Sequence, residues 1–170
     1  MKDPKILELE KAIIKSRSYL TRYLSSNTSY NHTGNNIYLQ EPIKLDNIIN
    51  NSNEYLEALS DQTGNNAWGI KIKKGVKHIN IKAIAHITSD NDVAFLYSYI
   101  RKNGNTVAQS NTFSNLKQNA MILFLYRDYL EVAEGDIIQL FFAADNSSGT
   151  IQGSVETNAP TTQLSVQVVD

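Results

Sequence analysis

The sequence predicts a mainly β fold, an antiparallel β-sandwich preceded by an N-terminal α-helix. Three observations carry this. From Trp68 to Asp170 the chain is a series of short apolar/polar alternating runs separated by Gly, Asn and Asp turns. Within that series stands Asn103-Gly104, whose residue types suit the left-handed backbone of a tight type I′ hairpin. Ahead of it, apolar residues recur at helical rather than strand spacing.

The helix is expected to open at Asp3-Pro4, because Asp caps free backbone N–H groups and Pro tolerates the first helical position. Ile6, Leu9, Ile13, Leu20 and Tyr23 then fall at a and d positions of a heptad, interrupted by Ser16, with Leu7, Ile14 and Leu24 beside them. Residues 1–26 are therefore assigned to an N-terminal helix whose stripe serves oligomerisation or anchoring to another protein; packing on its own domain is the plainer alternative. Residues 27–36, rich in Ser, Asn, Thr and Gly without periodicity, read as a linker, and 37–170 as the β domain.

Within that domain, Ile37-Tyr38-Leu39, Ile43-Lys44-Leu45 and Ile48-Ile49 have strand character around Pro42. Glu54–Leu59 suits either a short helix or a strand, and Thr63–Asn66 a turn. Clear alternation follows at Trp68–Ile72, Ile79–Ile87 and Ala94–Arg101, with Ser89–Asp92 turning the chain. Thr106–Ser110 is the expected partner beyond Asn103-Gly104, and Met121–Arg127, Asp136–Ala143 and Gln163–Val169 complete the set. Half-buried alternation of this kind belongs to antiparallel sheets, and many short strands make a sandwich or barrel.

The bulk numbers exclude several classes. The 170 residues suit one domain with an appendage. A net charge of −1, from 16 basic and 17 acidic residues, argues against nucleic-acid binding, which needs a basic face. Zero cysteines remove disulfides and thiolate metal sites. The first residues carry no apolar segment of a signal peptide, and Ala120–Tyr126 is far shorter than the ~20 residues of a membrane span, so no membrane insertion is expected. Lys71, Lys73, Lys74 and Lys77 form a local basic run that reads as a solvated or edge-protecting strand.

Catalytic chemistry finds little support. His78 and His86 would share one side of a regular strand and could contribute to a metal site, but no acidic residue stands at ligand spacing, and surface or interface histidines are the simpler reading. Ser89–Asp92 gathers oxygen ligands yet lacks the glycine and distal glutamate of a calcium loop. No nucleophile elbow, zinc-protease helix, phosphate loop or dinucleotide fingerprint occurs. The sequence thus predicts neither an enzyme nor a cofactor or metal. Exposed aromatics are the better binding candidates: Tyr38, Tyr55 and Trp68 stand beside loops and early strands, with core or intersubunit packing as the alternative.

Four segments carry a resemblance: Gly75–Ala83 (GVKHINIKA), Tyr99–Gly104 (YIRKNG), Leu130–Leu140 (LEVAEGDIIQL) and Thr162–Val169 (TQLSVQVV). Their order resembles the tumour-necrosis-factor and complement-head-like jelly rolls. The likeness extends over about residues 37–170 and is clearest from Gly75 onward. It implies a jelly-roll homotrimer with the closing strands near the threefold axis, and makes Tyr97, Tyr99, Phe141 and Phe142 candidates for facing that axis or the core. The run Gly69–Lys77 is similar to minor structural proteins of bacteriophages. That likeness implies a non-enzymatic virion component, a head-fibre or tail-fibre type protein, located in the virion. Its helix would join other capsid or tail proteins and its knob would meet a host-surface glycan. A bacterial jelly-roll lectin or adhesion module, and a capsid decoration or assembly protein without external ligand, are the alternatives.

Overall fold

The computed structural model describes residues 3–32, 37–38, 42–50, 54–60, 63–64, 66–89, 93–116, 121–145, 149–153 and 161–170. One helix, α1 (Pro4–Ser16), precedes the strands β1 (Tyr19–Tyr23), β2 (Thr28–His32), β3 (Ile37–Tyr38), β4 (Asn47–Asn50), β5 (Leu56–Ala58), β6 (Ile70–Ile72) and β7 (His78–Ser89). There follow β8 (Val93–Lys102), β9 (Asn105–Leu116), β10 (Met121–Glu131), β11 (Ile137–Asp145), β12 (Gly149–Gly153) and β13 (Gln163–Val168).

These strands form two antiparallel sheets packed as a jelly-roll sandwich. The first has the order β2-β12-β7-β13-β1-β4, with β10 on the other edge of β7; the second has the order β5-β6-β11-β8-β9, with β3 also on β11. Strands β12 and β13 lie end to end along β7, the one beside Ile87–Ser89 and the other beside Ile79–Ile84. Between the sheets, Leu20, Ile79, Ile81, Leu164, Val166 and Val168 meet Leu56, Ile70, Ile72, Ile100, Ile138, Leu140 and Phe142 in one buried cluster. The alternation read from the sequence is what sorts these residues to one side of each strand.

The β8–β9 hairpin has the expected turn. Asn103 and Gly104 hold φ of 50° and 81°, both positive as a type I′ turn requires. Asn103 also ties this turn to the neighbouring one: its Nδ2 donates to Asp136 Oδ1 at 2.6 Å, and Ile137 N–H donates to its Oδ1 at 2.8 Å.

Three expected boundaries are corrected. The helix ends at Ser16, not at 26; Asp3 caps it as anticipated, accepting from Lys5 N–H at 2.8 Å. Leu20 and Tyr23 stand on β1, with Leu20 fully buried, instead of continuing an exposed heptad stripe. The spacing Leu20/Leu24 puts both residues on one side of either a helix or a strand; pairing of β1 with β13 and β4 decides for the strand. The supposed linker contains β2, paired with β12, so the sandwich begins at Tyr19 rather than at 37. Positions 33–36 of that linker, and 90–92 of the expected turn after Ser89, lie outside the described residues. Glu54–Leu59 resolves as a strand, β5.

Buried inside the sandwich is Arg22 on β1, with Nε donating to Leu45 O at 2.8 Å and Nη1 to Leu59 O at 2.8 Å and Gly69 O at 3.0 Å. The Trp68 ring lies 5.6 Å from the guanidinium carbon. Burial pushes the Arg22 pKa down to about 10, opposed by the charge of Asp46. Asp46 is held in turn by Ser25, whose N–H donates to Oδ1 at 2.8 Å and whose hydroxyl bonds Oδ2. Arg22→Met is expected to lower the unfolding free energy by about 3 kcal/mol, because the carbonyls it serves lose their donor. Arg22→Lys is expected to fall short of wild type as well, since an ammonium lacks the planar fork. Urea unfolding at constant m-value measures both.

Acid should loosen the fold through three carboxylates. For Asp46, Asp136 and Asp170, burial raises the pKa, but hydrogen bonds outweigh it and hold each below the usual 3.8. Asp170 accepts from Lys15 Nζ at 2.6 Å and from His78 N–H at 3.0 Å. Asp136 accepts from Ala133 N–H at 2.9 Å and pairs with Lys102 Nζ at 3.4 Å. A depressed carboxylate stabilises the fold above its unfolded pKa, and that contribution disappears as pH falls through the folded value. Thermal melts are therefore expected to drop as pH falls below about 4, and Asp170→Asn to show a lower melting temperature at pH 7 with a shallower drop.

Candidate functional site

The feature that distinguishes this surface is the outer side of the first sheet. Because Leu20, Arg22 and Leu24 point inward, Tyr19, Thr21 and Tyr23 point out; on β13 the outward residues are Gln163, Ser165 and Gln167. The registers align them in rows across the sheet. One row runs Ile49, Thr21, Ser165, Lys82, Tyr126, and the next runs Asn47, Tyr23, Gln163, Ile84, Phe124.

This face is poor in charge and rich in rings. Phe124 and Tyr126 on β10 are 52% and 56% exposed, and Ile49 at the far edge is 52% exposed. The small residues Thr21 and Ser165, whose hydroxyls bond at 2.7 Å, leave a shallow cleft of about 360 Å³ between Tyr19 and Tyr126. Lys82 lies in it with Nζ 5.9 Å from the Tyr126 ring centre. Contiguous exposed aromatics with few charges mark surfaces that bind other protein.

Beside one end of this sheet stands α1. None of its residues is buried, and Ile6, Leu9 and Ile13 of the expected stripe are 52%, 62% and 43% exposed. Its base is fixed to the sandwich: Lys15 pairs with Asp170, Ser18 Oγ–H donates to Ile14 O at 3.0 Å, and Val168 N–H donates to Ser18 O at 2.9 Å. The structure thus brings Ile6, Leu9 and Ile13 together on an open helix face and separates them from Leu20 and Tyr23 on β1.

The other expected site residues divide. Phe142 is core. Tyr99 and Phe141 form a separate buried pair on the opposite side of β8 and β11, away from the core and from the first sheet. Tyr97 is on β8 opposite Ala143, and Tyr38 is on β3 opposite the same residue. Tyr55 packs partly buried against the core, and Trp68 covers Arg22 with its backbone at φ 57°. These last two are thus engaged with the fold rather than standing free on a recognition surface.

His78 and His86 share one side of β7, but eight residues of strand separate them by about 26 Å, too far for one metal ion. His78 stacks on Tyr129 at 4.3 Å. Buried His86 donates its N–H to Thr162 Oγ1 at 3.0 Å, and the Thr162 hydroxyl donates to His86 O at 3.0 Å. Among the described residues no three His, Asp or Glu side chains gather into a metal-binding group, and no helix is long and apolar enough to cross a membrane. Sequence reasoning missed Phe124, Tyr126 and Tyr19. Their signal was the alternation itself, which assigns aromatic rings to the outer side of strands whose inner side was already filled.

No protein-family model matches the chain, and no curated protein does. Solved structures do. The Eiger TNF of S. frugiperda superposes with a TM-score of 0.54 at 7% identity, covering 90% of this chain and 91% of that one. Murine APRIL superposes with a TM-score of 0.56 at 13% identity, covering 89% of this chain and 99% of that one. At such identities the likeness is one of fold: this chain has the jelly roll of tumour-necrosis-factor ligands.

Proposed function

We propose that this chain is a non-enzymatic, self-associating structural module: a homotrimer in a bacteriophage virion, of head-fibre or tail-fibre type, whose jelly-roll knob meets the host surface. The observation that carries the assembly is the charge-poor, ring-bearing outer side of the first sheet, with Phe124 and Tyr126 exposed at its edge. Closing strand β13 lies in the middle of that sheet, so packing on this side would bring β13 toward a shared axis.

The helix supports the same reading. With Ile6 at a and Leu9 at d, Lys5 falls at g and Glu10 at e. In a parallel bundle a g residue faces the e residue five positions on in the neighbouring chain, so Lys5 would meet Glu10. A helix of 13 residues is marginal alone and gains from such packing. The virion assignment is supported by the similarity of Gly69–Lys77 to phage minor structural proteins. Attachment would work by multivalency, with weak sites repeated on a trimer and again over a particle.

Light scattering on the full chain is expected to give three times the 19.1 kDa of one chain. The double variant Phe124→Asp, Tyr126→Asp should dissociate it to monomers with an unchanged β-type circular dichroism spectrum. A wild-type monomer overturns the assembly. Mass spectrometry of purified particles tests the location, and absence of the chain from them overturns the virion reading.

A further inference from the structure

The opposite side of the sandwich holds a second, different surface. Strands β8 and β11 pair so that Tyr99 faces Phe141 and Arg101 faces Gln139. The Arg101 guanidinium carbon lies 4.4 Å from the Phe141 ring centre and 5.8 Å from that of Tyr99. Its buried Nε has no hydrogen-bond partner, and the described ion pairs, Lys15–Asp170 and Lys102–Asp136, leave it out. Ring faces hold this cation and leave its Nε without a partner.

That cation lines a cleft of about 380 Å³, together with Asn66, Asn103, Gln139 and Phe141. The walls are preformed. Gln139 Nε2 donates to Ala67 O at 2.8 Å, and Asn103 is bonded to Asp136 and Ile137. Gly69 makes the closeness possible: a Cβ there would stand 2.5 Å from Ile137 Cγ2 and 3.3 Å from Gln139 Cγ. Sites held by their own hydrogen bonds lose little freedom on binding.

We propose that this cleft binds a carboxylate-bearing sugar residue of a surface polysaccharide, of the uronic or sialic acid type. Arg101 receives the carboxylate in the two-point geometry that matches its fork. The side-chain amide of Asn66 suits ring hydroxyls, and Asn103 and Gln139, already bonded through Nδ2, Oδ1 and Nε2, keep a second hydrogen or lone pair for them. The volume stands at the small end of ligand sites and fits about one sugar residue. A compact cleft between a turn and a hairpin favours a sugar over an acidic peptide, which would use a sheet edge or an extended groove. The inference rests on the host-surface reading above and names the ligand class for it.

Calorimetric titration of the full chain with methyl β-D-glucuronoside and N-acetylneuraminic acid tests this. The controls are methyl β-D-glucoside, acetate, inorganic phosphate and a glutamate-rich peptide. At least one acidic sugar is expected to bind, with the neutral glucoside about tenfold weaker or worse. Arg101→Gln is expected to weaken the acidic sugar roughly ten- to hundredfold. Asn66→Ala should weaken the sugar by a smaller factor and leave acetate unchanged, which keeps the test open if Arg101→Gln fails to fold. The proposal is overturned by equal affinity for glucuronoside and glucoside, by tighter binding of phosphate or the peptide, by indifference to both substitutions, or by no binding of either acidic sugar at about 20 mM, well beyond the millimolar affinity of a weak site. Light scattering on the same samples separates the two readings: a trimer that ignores acidic sugars removes this site alone, and a monomer that binds them removes the assembly alone.

Discussion

The buried guanidinium of Arg22 is the constraint that ties the first sheet to the cleft on the second. It sits on β1 of the first sheet yet donates to Leu45, Leu59 and Gly69, which belong to segments leading into and out of the second. A charge inside a protein is tolerated only when its donors are used, and here backbone carbonyls use them. The geometry this imposes reaches outward. By holding Gly69 O it positions the Asn66–Gly69 turn, and that turn, through Ala67 and Gly69, fixes Gln139 in the cleft on the outer side of the second sheet. Trp68 bends over the same cation with a positive φ, a conformation that an aromatic residue seldom adopts without surroundings that hold it.

From this anchor the sandwich separates two kinds of surface. Each inward residue filled by Leu, Ile or Val leaves its neighbours facing out, so the outer sides are free to differ. On the first sheet they are aromatic and small-polar, flat and nearly uncharged. On the second, amides and the Arg101 cation line a cleft. The two sides point in opposite directions, so the proposed packing of copies through the first would leave the second open. Under that proposal the separation would let assembly and recognition be altered independently.

Much of the β architecture was legible because burial on one side of a strand enforces alternation. β7, β8, β10, β11 and β13 each start within a few residues of the expected positions, and the Asn103-Gly104 turn follows from left-handed backbone that those residue types adopt readily. What was illegible has physical causes. Leu20 and Leu24 satisfy two periods at once, and only the partner strand β13, distant in sequence, chooses between them. For the same reason nothing in the sequence marks Arg22 as the buried tie of the fold. Strands β2 and β12 are short, polar or glycine-flanked, and β2 takes its place in the sheet through β12, distant in sequence. The site was partly legible: Tyr99 and Phe141 were noticed as aromatics, but the face they occupy is set by the register of β8 on β11, which a single sequence does not state.

The helix completes the argument about assembly. None of its 13 residues is fully buried, while five large apolar side chains, Ile6, Leu7, Leu9, Ile13 and Ile14, stand exposed. A lone helix of this length is marginal, so its order depends on what fixes its base and what covers its stripe. The base is fixed by Asp170, which also accepts from Lys77 and His78 at the start of β7, so the helix is registered to the same sheet whose outer side carries Tyr126 and Phe124. Two apolar surfaces attached to one rigid frame need not each be strong. When one brings copies together, the other meets its counterpart at high local concentration, and their contributions reinforce each other far beyond either alone.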